Sequence, residues 1–94
     1  MENAKKERLS ILVEEASEVI QIAMKIQRHG EQSYNPFDES KKPNIELLEE
    51  ELGHLLFAIY FMDEEGDFDL SKVNKSSEQK RQTINKYLHY NIVY

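Results

Sequence analysis

The sequence predicts an all-α fold, an antiparallel helical bundle that is completed by a second copy of the chain. Two long segments carry apolar residues at helical spacing, and both prolines fall in the single loop between them. No stretch alternates apolar and polar residues as a half-buried strand does. The chain has 94 residues, which is enough for one small domain, so we treat 1–94 as a single helical domain.

Each predicted helix is bounded by residues that favour its ends. The predicted helices cover about residues 2–28, 44–64 and 70–90. Gly30 is a plausible stop for the first, Asn44 a plausible N-cap for the second, and Gly66 breaks the second from the third. The third helix has few apolar positions and a polar middle.

The second helix predicts the oligomeric state. Residues 55–62, LLFAIYFM, are eight consecutive apolar side chains, and such a run covers every face of a helix. Two further helices, one of them mostly polar, cannot enclose it. We therefore expect a symmetric homodimer, or a homotetramer made from such dimers.

Composition limits the partners that the chain can bind. The net charge is −6 with a sequence pI near 5.0, which disfavours binding to a nucleic-acid backbone. An anionic ligand would need a metal cation between it and such a protein. No segment has the roughly 18 apolar residues that span a membrane, the N-terminus lacks a signal-peptide core, and cysteine is absent. We expect a cytoplasmic protein without a membrane partner.

The first two helices share one pattern, in which two polar residues lie between two apolar ones at steps of four, three and four. The matching positions are Ile11, Glu15, Glu18 and Ile22 in the first helix and Leu47, Glu51, His54 and Ala58 in the second. Residues three or four apart are neighbours on a helix surface. The polar pairs therefore lie within the stripes that should face another helix, not on a solvated face.

Buried carboxylates must be paired or bind a metal, and no basic residue lies in either stripe. If the two helices pack antiparallel, Glu15, Glu18, Glu51 and His54 converge on one space. Three carboxylates favour a hard divalent cation such as Mg²⁺ or Mn²⁺. The alternative is that these are ordinary acidic residues near helix starts, where the positive end of the helix dipole favours them. That explanation is sufficient for Glu46, Glu49 and Glu50.

At these residues the sequence resembles the MazG-like nucleoside triphosphate pyrophosphohydrolases, an all-α family with a Glu-Glu-x-x-Glu signature followed by Glu-x-x-Asp. The first half is present as EEASE at 14–18, and the second reads ELGH at 51–54, followed by LLFAI. The RHG, SYNPFD and NKYLH segments are similar to a small phage-type branch of that family. The resemblance covers nearly the whole chain.

The resemblance implies cleavage of a nucleoside triphosphate between its α- and β-phosphates, giving the monophosphate and pyrophosphate. It implies Mg²⁺ held by Glu15, Glu18 and Glu51. Glu14 and Glu15 would be catalytic, with Glu14 binding the metal or orienting the attacking water.

The sequence departs from the family at His54, where the signature has Asp. An imidazole favours Mn²⁺, Co²⁺ or Zn²⁺ over Mg²⁺. His54 is therefore a ligand in a site with altered metal preference, or a neighbour of three carboxylate ligands, or the mark of a weakly active or inactive paralogue. The sequence leaves all three open.

Basic and amide residues are candidates for contact with the substrate. They are Lys25, Arg28, Lys80, Asn85 and Lys86. Lys25 and Arg28 are one turn apart at the end of the first helix, where the helix dipole alone also favours them. The other three lie on the last helix, where an ordinary solvated face is the alternative. Tyr34 and Phe37 would stack on a base or pin the loop to the bundle.

Two other functions fit parts of the pattern. Glu51 and His54 form half of a ferritin-like di-iron signature, which a symmetric dimer would duplicate. A non-catalytic helical interaction module accounts for the apolar helix, but not for two acidic pairs within apolar stripes.

Overall fold

Three α-helices and a short 3-10 helix form the chain, as described by a computed structural model for residues 1–93. The helices are α1 (Asn3–His29), α2 (Asn44–Glu64) and α3 (Leu70–Thr83), followed by the 3-10 helix Ile84–Tyr87. Residues 1–93 contain no β-strand. The all-α prediction is confirmed, and the first two predicted helices agree with the structure to within one residue at each end.

The α1 and α2 helices pack against each other in antiparallel orientation, as the stripe pattern requires. Near the start of α1, Arg8 donates two hydrogen bonds to Asp67 just beyond the end of α2, at 2.6 and 2.8 Å. At the opposite end, the Asn44 side chain donates to the Gly30 carbonyl at 3.2 Å. Arg8 and Asn44 are buried. The two contacts therefore fix both ends of the α1–α2 unit.

The turn residues act as the sequence predicts at two of three helix ends. Gly30 has φ +93°, and its N–H donates to Ile26 at 2.8 Å, so α1 stops there. Gly66 has φ +77° in the turn after α2. The N-cap prediction for Asn44 is wrong, because Pro43 precedes α2 and Asn44 is its first residue. The Asn44 side chain binds Gly30 instead of capping its own helix.

Little apolar surface is buried within one chain. Among residues 1–93, Ala58 and Met62 are the buried apolar side chains, whereas Phe57 is 59% exposed. The chain exposes 7620 Å² in total, against about 5,700 Å² for a compact folded monomer of this mass. Its radius of gyration is 16.4 Å, against roughly 12 Å for a compact chain of this length. A closed bundle is therefore not formed by one chain.

The third helix is shorter than predicted and projects from the α1–α2 unit. It ends at Thr83, not near residue 90, and every residue from 71 to 83 is exposed. After the 3-10 turn the chain folds back, because Asn85 exchanges two hydrogen bonds with the Val93 backbone, at 2.7 and 2.8 Å. That exchange stabilises an extended C-terminal segment in place of further helix. No helix in residues 1–93 is long and apolar enough to span a bilayer.

Candidate metal centre

Four side chains from α1 and α2 converge midway along the α1–α2 unit. Glu15 and Glu18 lie one turn apart on α1, and Glu51 and His54 lie one turn apart on α2. One potential ligand atom from each lies within 4.8 Å of the others. These are the four polar residues of the shared pattern. The antiparallel packing thus brings them together in the register that the stripes predict.

The imidazole lies at the rim of this cluster and faces two of its carboxylates. His54 Nδ1 is 3.4 Å from Glu51 Oε2 and 3.6 Å from Glu15 Oε2. The His54 side chain is 58% exposed, whereas those of Glu15 and Glu51 are 19% and 20% exposed. The cluster is therefore sheltered at its carboxylates and open to solvent at the imidazole.

Two carboxylate oxygens in the cluster are buried without a hydrogen-bond partner. They are Glu15 Oε2 and Glu51 Oε2, and both face His54 Nδ1 at distances longer than a hydrogen bond. A buried acceptor that lacks a partner costs free energy, and more so when it is charged. A divalent cation between the two oxygens would satisfy both, so the geometry fits a metal ion.

The electrostatics of the cluster point in the same direction. Contact with the Glu18 carboxyl, which is favourable only when a proton is shared, raises the pKa of Glu51. Partial burial and the charge of Glu18 raise it further, and only His54 opposes them. Three carboxylates this close repel one another, and a bound cation would turn this repulsion into attraction.

The donor set is three carboxylates and one imidazole. Carboxylate oxygens suit Mg²⁺ and Mn²⁺, and the imidazole nitrogen shifts the preference toward Mn²⁺ and its softer neighbours. Glu14, which the resemblance pairs with Glu15, is exposed and is not one of the four clustered side chains. Its backbone carbonyl accepts a hydrogen bond from Ser17.

A pocket of about 470 Å³ lies at the end of α1, under the loop that leads to α2. Its lining residues are Lys25, Arg28, His29, Ser33, Tyr34, Asn35, Pro36, Asn44 and Leu47. It thus unites Lys25, Arg28 and Tyr34, three candidates from the sequence, whereas Phe37 is exposed outside it. Asn35 had no signal in the sequence, because an irregular loop has no periodicity from which to place a side chain, and Asn44 was predicted only as an N-cap.

The candidates near the C-terminus are placed elsewhere in the chain. The ammonium groups of Lys80 and Lys86 lie 5.9 and 5.7 Å from the centre of the Tyr87 ring, at cation–π distance. The Asn85 amide is engaged with Val93. None of the three lines the pocket or belongs to the four-residue cluster.

A family model described as the MazG nucleotide pyrophosphohydrolase domain matches residues 4–89. No curated protein and no solved structure matches the chain. The matched range contains all four clustered side chains, the pocket and the 3-10 helix.

Proposed function

This chain belongs to the MazG nucleotide pyrophosphohydrolase domain family, and we propose that it hydrolyses nucleoside triphosphates to the monophosphate and pyrophosphate with a divalent metal. One observation carries the metal dependence. Glu15 Oε2 and Glu51 Oε2 are buried, lack hydrogen-bond partners and lie in a group of four potential ligands. A cation is the simplest partner for both.

In this proposal Glu15, Glu18, Glu51 and His54 hold Mg²⁺ or Mn²⁺. When bound, the cation neutralises phosphate charge and favours attack by water. Because α1 and α2 hold the carboxylates in place before substrate binds, these side chains need little reorganisation during the reaction. We assign to Glu14, which is exposed and precedes Glu15 in the sequence, the role that the family resemblance implies, accepting a hydrogen bond from the attacking water.

We assign the pocket at the end of α1 to the part of the nucleotide remote from the cleaved bond. Lys25 is seven residues beyond Glu18, which is about 10 Å along the helix axis. That distance suits a nucleotide whose phosphates lie at the cluster. The Tyr34 ring is available to stack on a base, and Lys25 and Arg28 are available to bind polar atoms of the nucleotide.

The working form in this proposal is a homodimer or a homotetramer. Exposed apolar side chains occur on both helices of the α1–α2 unit: Val13, Ile20 and Met24 on α1 and Leu52, Leu56, Phe57 and Tyr60 on α2. The excess exposed area of roughly 2,000 Å² per chain is in the range that a stable interface buries. The phage-type branch and the cytoplasmic location stay predictions.

We propose that His54 is a ligand. Its Nδ1 atom faces the same two oxygens that lack partners. The Nδ1 lone pair of a neutral imidazole at this position would reach a cation held between Glu15 and Glu51. A protonated imidazole would instead pair with the two carboxylates, and the metal preference of wild type and of His54→Asp separates these cases.

The proposal is tested by incubating the protein with a panel of nucleoside and deoxynucleoside triphosphates and each divalent metal. Phosphorus NMR then identifies the products. We expect monophosphate and pyrophosphate, only with metal, and none from Glu18→Gln. Diphosphate and orthophosphate would contradict the proposal. Metal binding without turnover would identify an inactive paralogue. Bound iron with an oxidised-iron absorption band would identify a di-iron protein. The absence of any metal binding would identify an interaction module.

A further inference from the structure

Asn44 is a buried amide that lines the pocket at the end of α1. It is 6% exposed and begins α2, directly after the loop under which the pocket lies. Its backbone N–H donates to the Ser33 carbonyl at 2.8 Å, and its side-chain Nδ2 donates to the Gly30 carbonyl at 3.2 Å. These two contacts hold the amide in one position at the wall of the pocket.

The bond to Gly30 decides which end of the Asn44 amide is free. A backbone carbonyl can only accept a hydrogen bond, so the amide must present its NH2 group to Gly30. Within residues 1–93, no group donates to the other end, Oδ1. Unlike Glu15 Oε2 and Glu51 Oε2, this oxygen is not fully buried. Because the rest of Asn44 is covered, a ligand can reach the free acceptor through the pocket.

Neighbouring side chains in the pocket complement this acceptor with donors. Asn35 Oδ1 accepts from the Phe37 N–H at 3.0 Å, so the NH2 group is the end of that amide available to a ligand. Lys25 and Arg28 can only donate. A ligand that uses all of these groups must therefore offer acceptors to most of the pocket and an N–H or O–H group to Asn44.

The distance from the metal centre favours a nucleobase over a sugar at Asn44. Asn44 is seven residues before Glu51, about 10 Å along the axis of α2. Lys25 is equally far beyond Glu18 on α1. In a nucleotide the ribose lies between the phosphates and the base. With the phosphates at the metal centre, the base is the part that extends to the pocket.

We propose that Asn44 determines base specificity by accepting a hydrogen bond from an N–H group on the edge of the nucleobase. This role rests on the proposed function, because it places the base of the substrate in the pocket. Asn44 would then select among nucleotides that carry the same triphosphate.

A fixed acceptor distinguishes bases of the same ring size. Cytosine offers N–H groups only from its 4-amino group and has an acceptor at N3, whereas uracil has an N–H at N3 and an acceptor at position 4. Adenine and hypoxanthine differ in the same way at position 6 and N1. Whichever position faces Asn44 Oδ1, one base of each pair gains a hydrogen bond and the other opposes two acceptors.

Two substitutions at Asn44 separate base recognition from the structural bond to Gly30. Asn44→Ala removes both the acceptor and the bond, whereas Asn44→Asp removes the bond but retains an acceptor. With Mn²⁺, kcat/KM is measured for CTP against UTP and for ATP against ITP. We expect wild type to prefer one nucleotide of at least one pair about tenfold or more, because the other leaves the acceptor unpaired. The preference should persist in Asn44→Asp and fall below about threefold in Asn44→Ala.

A purely structural role predicts that both variants lower kcat/KM for all four nucleotides and change the two ratios equally or not at all. A hydrogen bond to a ribose hydroxyl likewise leaves the ratios unchanged. Either result, or a wild type that cleaves both nucleotides of each pair equally well, would overturn the proposal. Asn74→Ala, which changes an exposed asparagine on α3, is the control and should alter neither ratio.

A second measurement does not depend on turnover. ¹⁵N-labelled protein is titrated with CMP, UMP, AMP and IMP, which have no phosphoanhydride bond to cleave. NMR follows the side-chain NH2 resonance of Asn44, which is assigned by its loss in Asn44→Ala. We expect unequal shifts within at least one pair, because a hydrogen bond to Oδ1 polarises the whole amide. No shift, or equal shifts within both pairs, would overturn the proposal. Unequal shifts in a wild type that cleaves no nucleoside triphosphate would refute the proposed function and retain the role of Asn44.

Discussion

The α1–α2 unit and the C-terminal segment, residues 70–93, differ in how far they pack against other parts of the same chain. The α1–α2 unit is fixed at both ends by buried polar contacts, Arg8 with Asp67 and Asn44 with Gly30. It brings four potential metal ligands together without help from another chain. In the C-terminal segment, Val73, Ser77, Lys80 and Ile84 have the same four-three-four spacing, but residues 71–83 are exposed to solvent. The comparison teaches that the four potential ligands of the proposed metal centre converge within two helices of one chain, whereas the C-terminal segment has no comparable packing within its own chain.

The largest expected effect comes from removing a carboxylate of the metal centre. Glu18→Gln keeps the size of the side chain but loses its charge and most of its affinity for a cation. We expect pyrophosphate release to fall at least about a hundredfold, with helicity unchanged by circular dichroism. In metal-free protein the same change relieves repulsion around Glu51, so the melting temperature should rise. Glu49→Gln, an exposed acid on α2, is the control and should change neither. Full activity in Glu18→Gln would show that Glu18 is not a ligand.

The second effect distinguishes a monomer from an assembly. Phe57 stacks on Phe61 with ring centres 5.5 Å apart, but most of its surface is exposed in one chain. If a partner covers Phe57, Phe57→Asp loses about 1.5–3 kcal/mol of apolar burial and adds an unpaired buried charge. We expect sedimentation to show dissociation together with loss of helicity.

For a chain that works as a monomer, Phe57→Asp would leave both properties almost unchanged. Glu64→Gln, near the exposed end of the same helix, controls for a general effect of changing charge on α2. A wild type that sediments as a stable monomer would contradict the assembly directly.

The sequence was sufficient to predict the parts of the fold that repeat. The stripe pattern predicted the register of α1 on α2, because a polar pair within an apolar stripe is informative only where two helices share it. Gly30 and Gly66 predicted helix ends through their positive φ. Both signals are local or periodic, and such signals can be read from one chain.

The contacts that the sequence did not predict are single polar pairs without periodicity. Arg8 and Asp67 are 59 residues apart, and nothing in either segment identifies the other. Asn44 fits the rule for an N-cap but binds Gly30. The early end of α3 depends on the pairing of Asn85 with Val93, which requires the chain to fold back after the helix.

The third effect concerns the metal preference of the α1–α2 unit. If His54 is a ligand, wild type should be more active with Mn²⁺ or Co²⁺ than with Mg²⁺. His54→Asp should then raise the activity with Mg²⁺ and weaken the preference for the softer metals. A site in which His54 does not ligate would show little change in either activity. If wild type is almost inactive with every metal and His54→Asp gains a large activity, then His54 impairs the site.

The smallest effect concerns the ion pair that holds α1 to the turn after α2. Hydrogen bonds from the Arg8 guanidinium hold the pKa of Asp67 below its usual value of 3.8. Because the pKa is lowered by folding, the pair contributes fully to stability above about pH 5 and is lost as the pH falls through the lowered pKa. Asp67→Asn should therefore lower the melting temperature at pH 7 and flatten its decline in acid. Glu50→Gln, which breaks the half-exposed pair with Lys42, should have little effect. Equal changes in both variants would contradict the assignment.

Binding of Mn²⁺ to the metal-free protein tests the central claim most directly, because it depends on neither substrate nor turnover. Electron paramagnetic resonance measures free Mn²⁺ in titrations of wild type, Glu51→Gln and the exposed control Glu49→Gln. The account predicts at least one ion per chain in wild type and in Glu49→Gln, and affinity about tenfold or more weaker in Glu51→Gln. Absence of binding in wild type, or equal affinity in all three proteins, would contradict the claim that Glu15, Glu18, Glu51 and His54 form a metal centre.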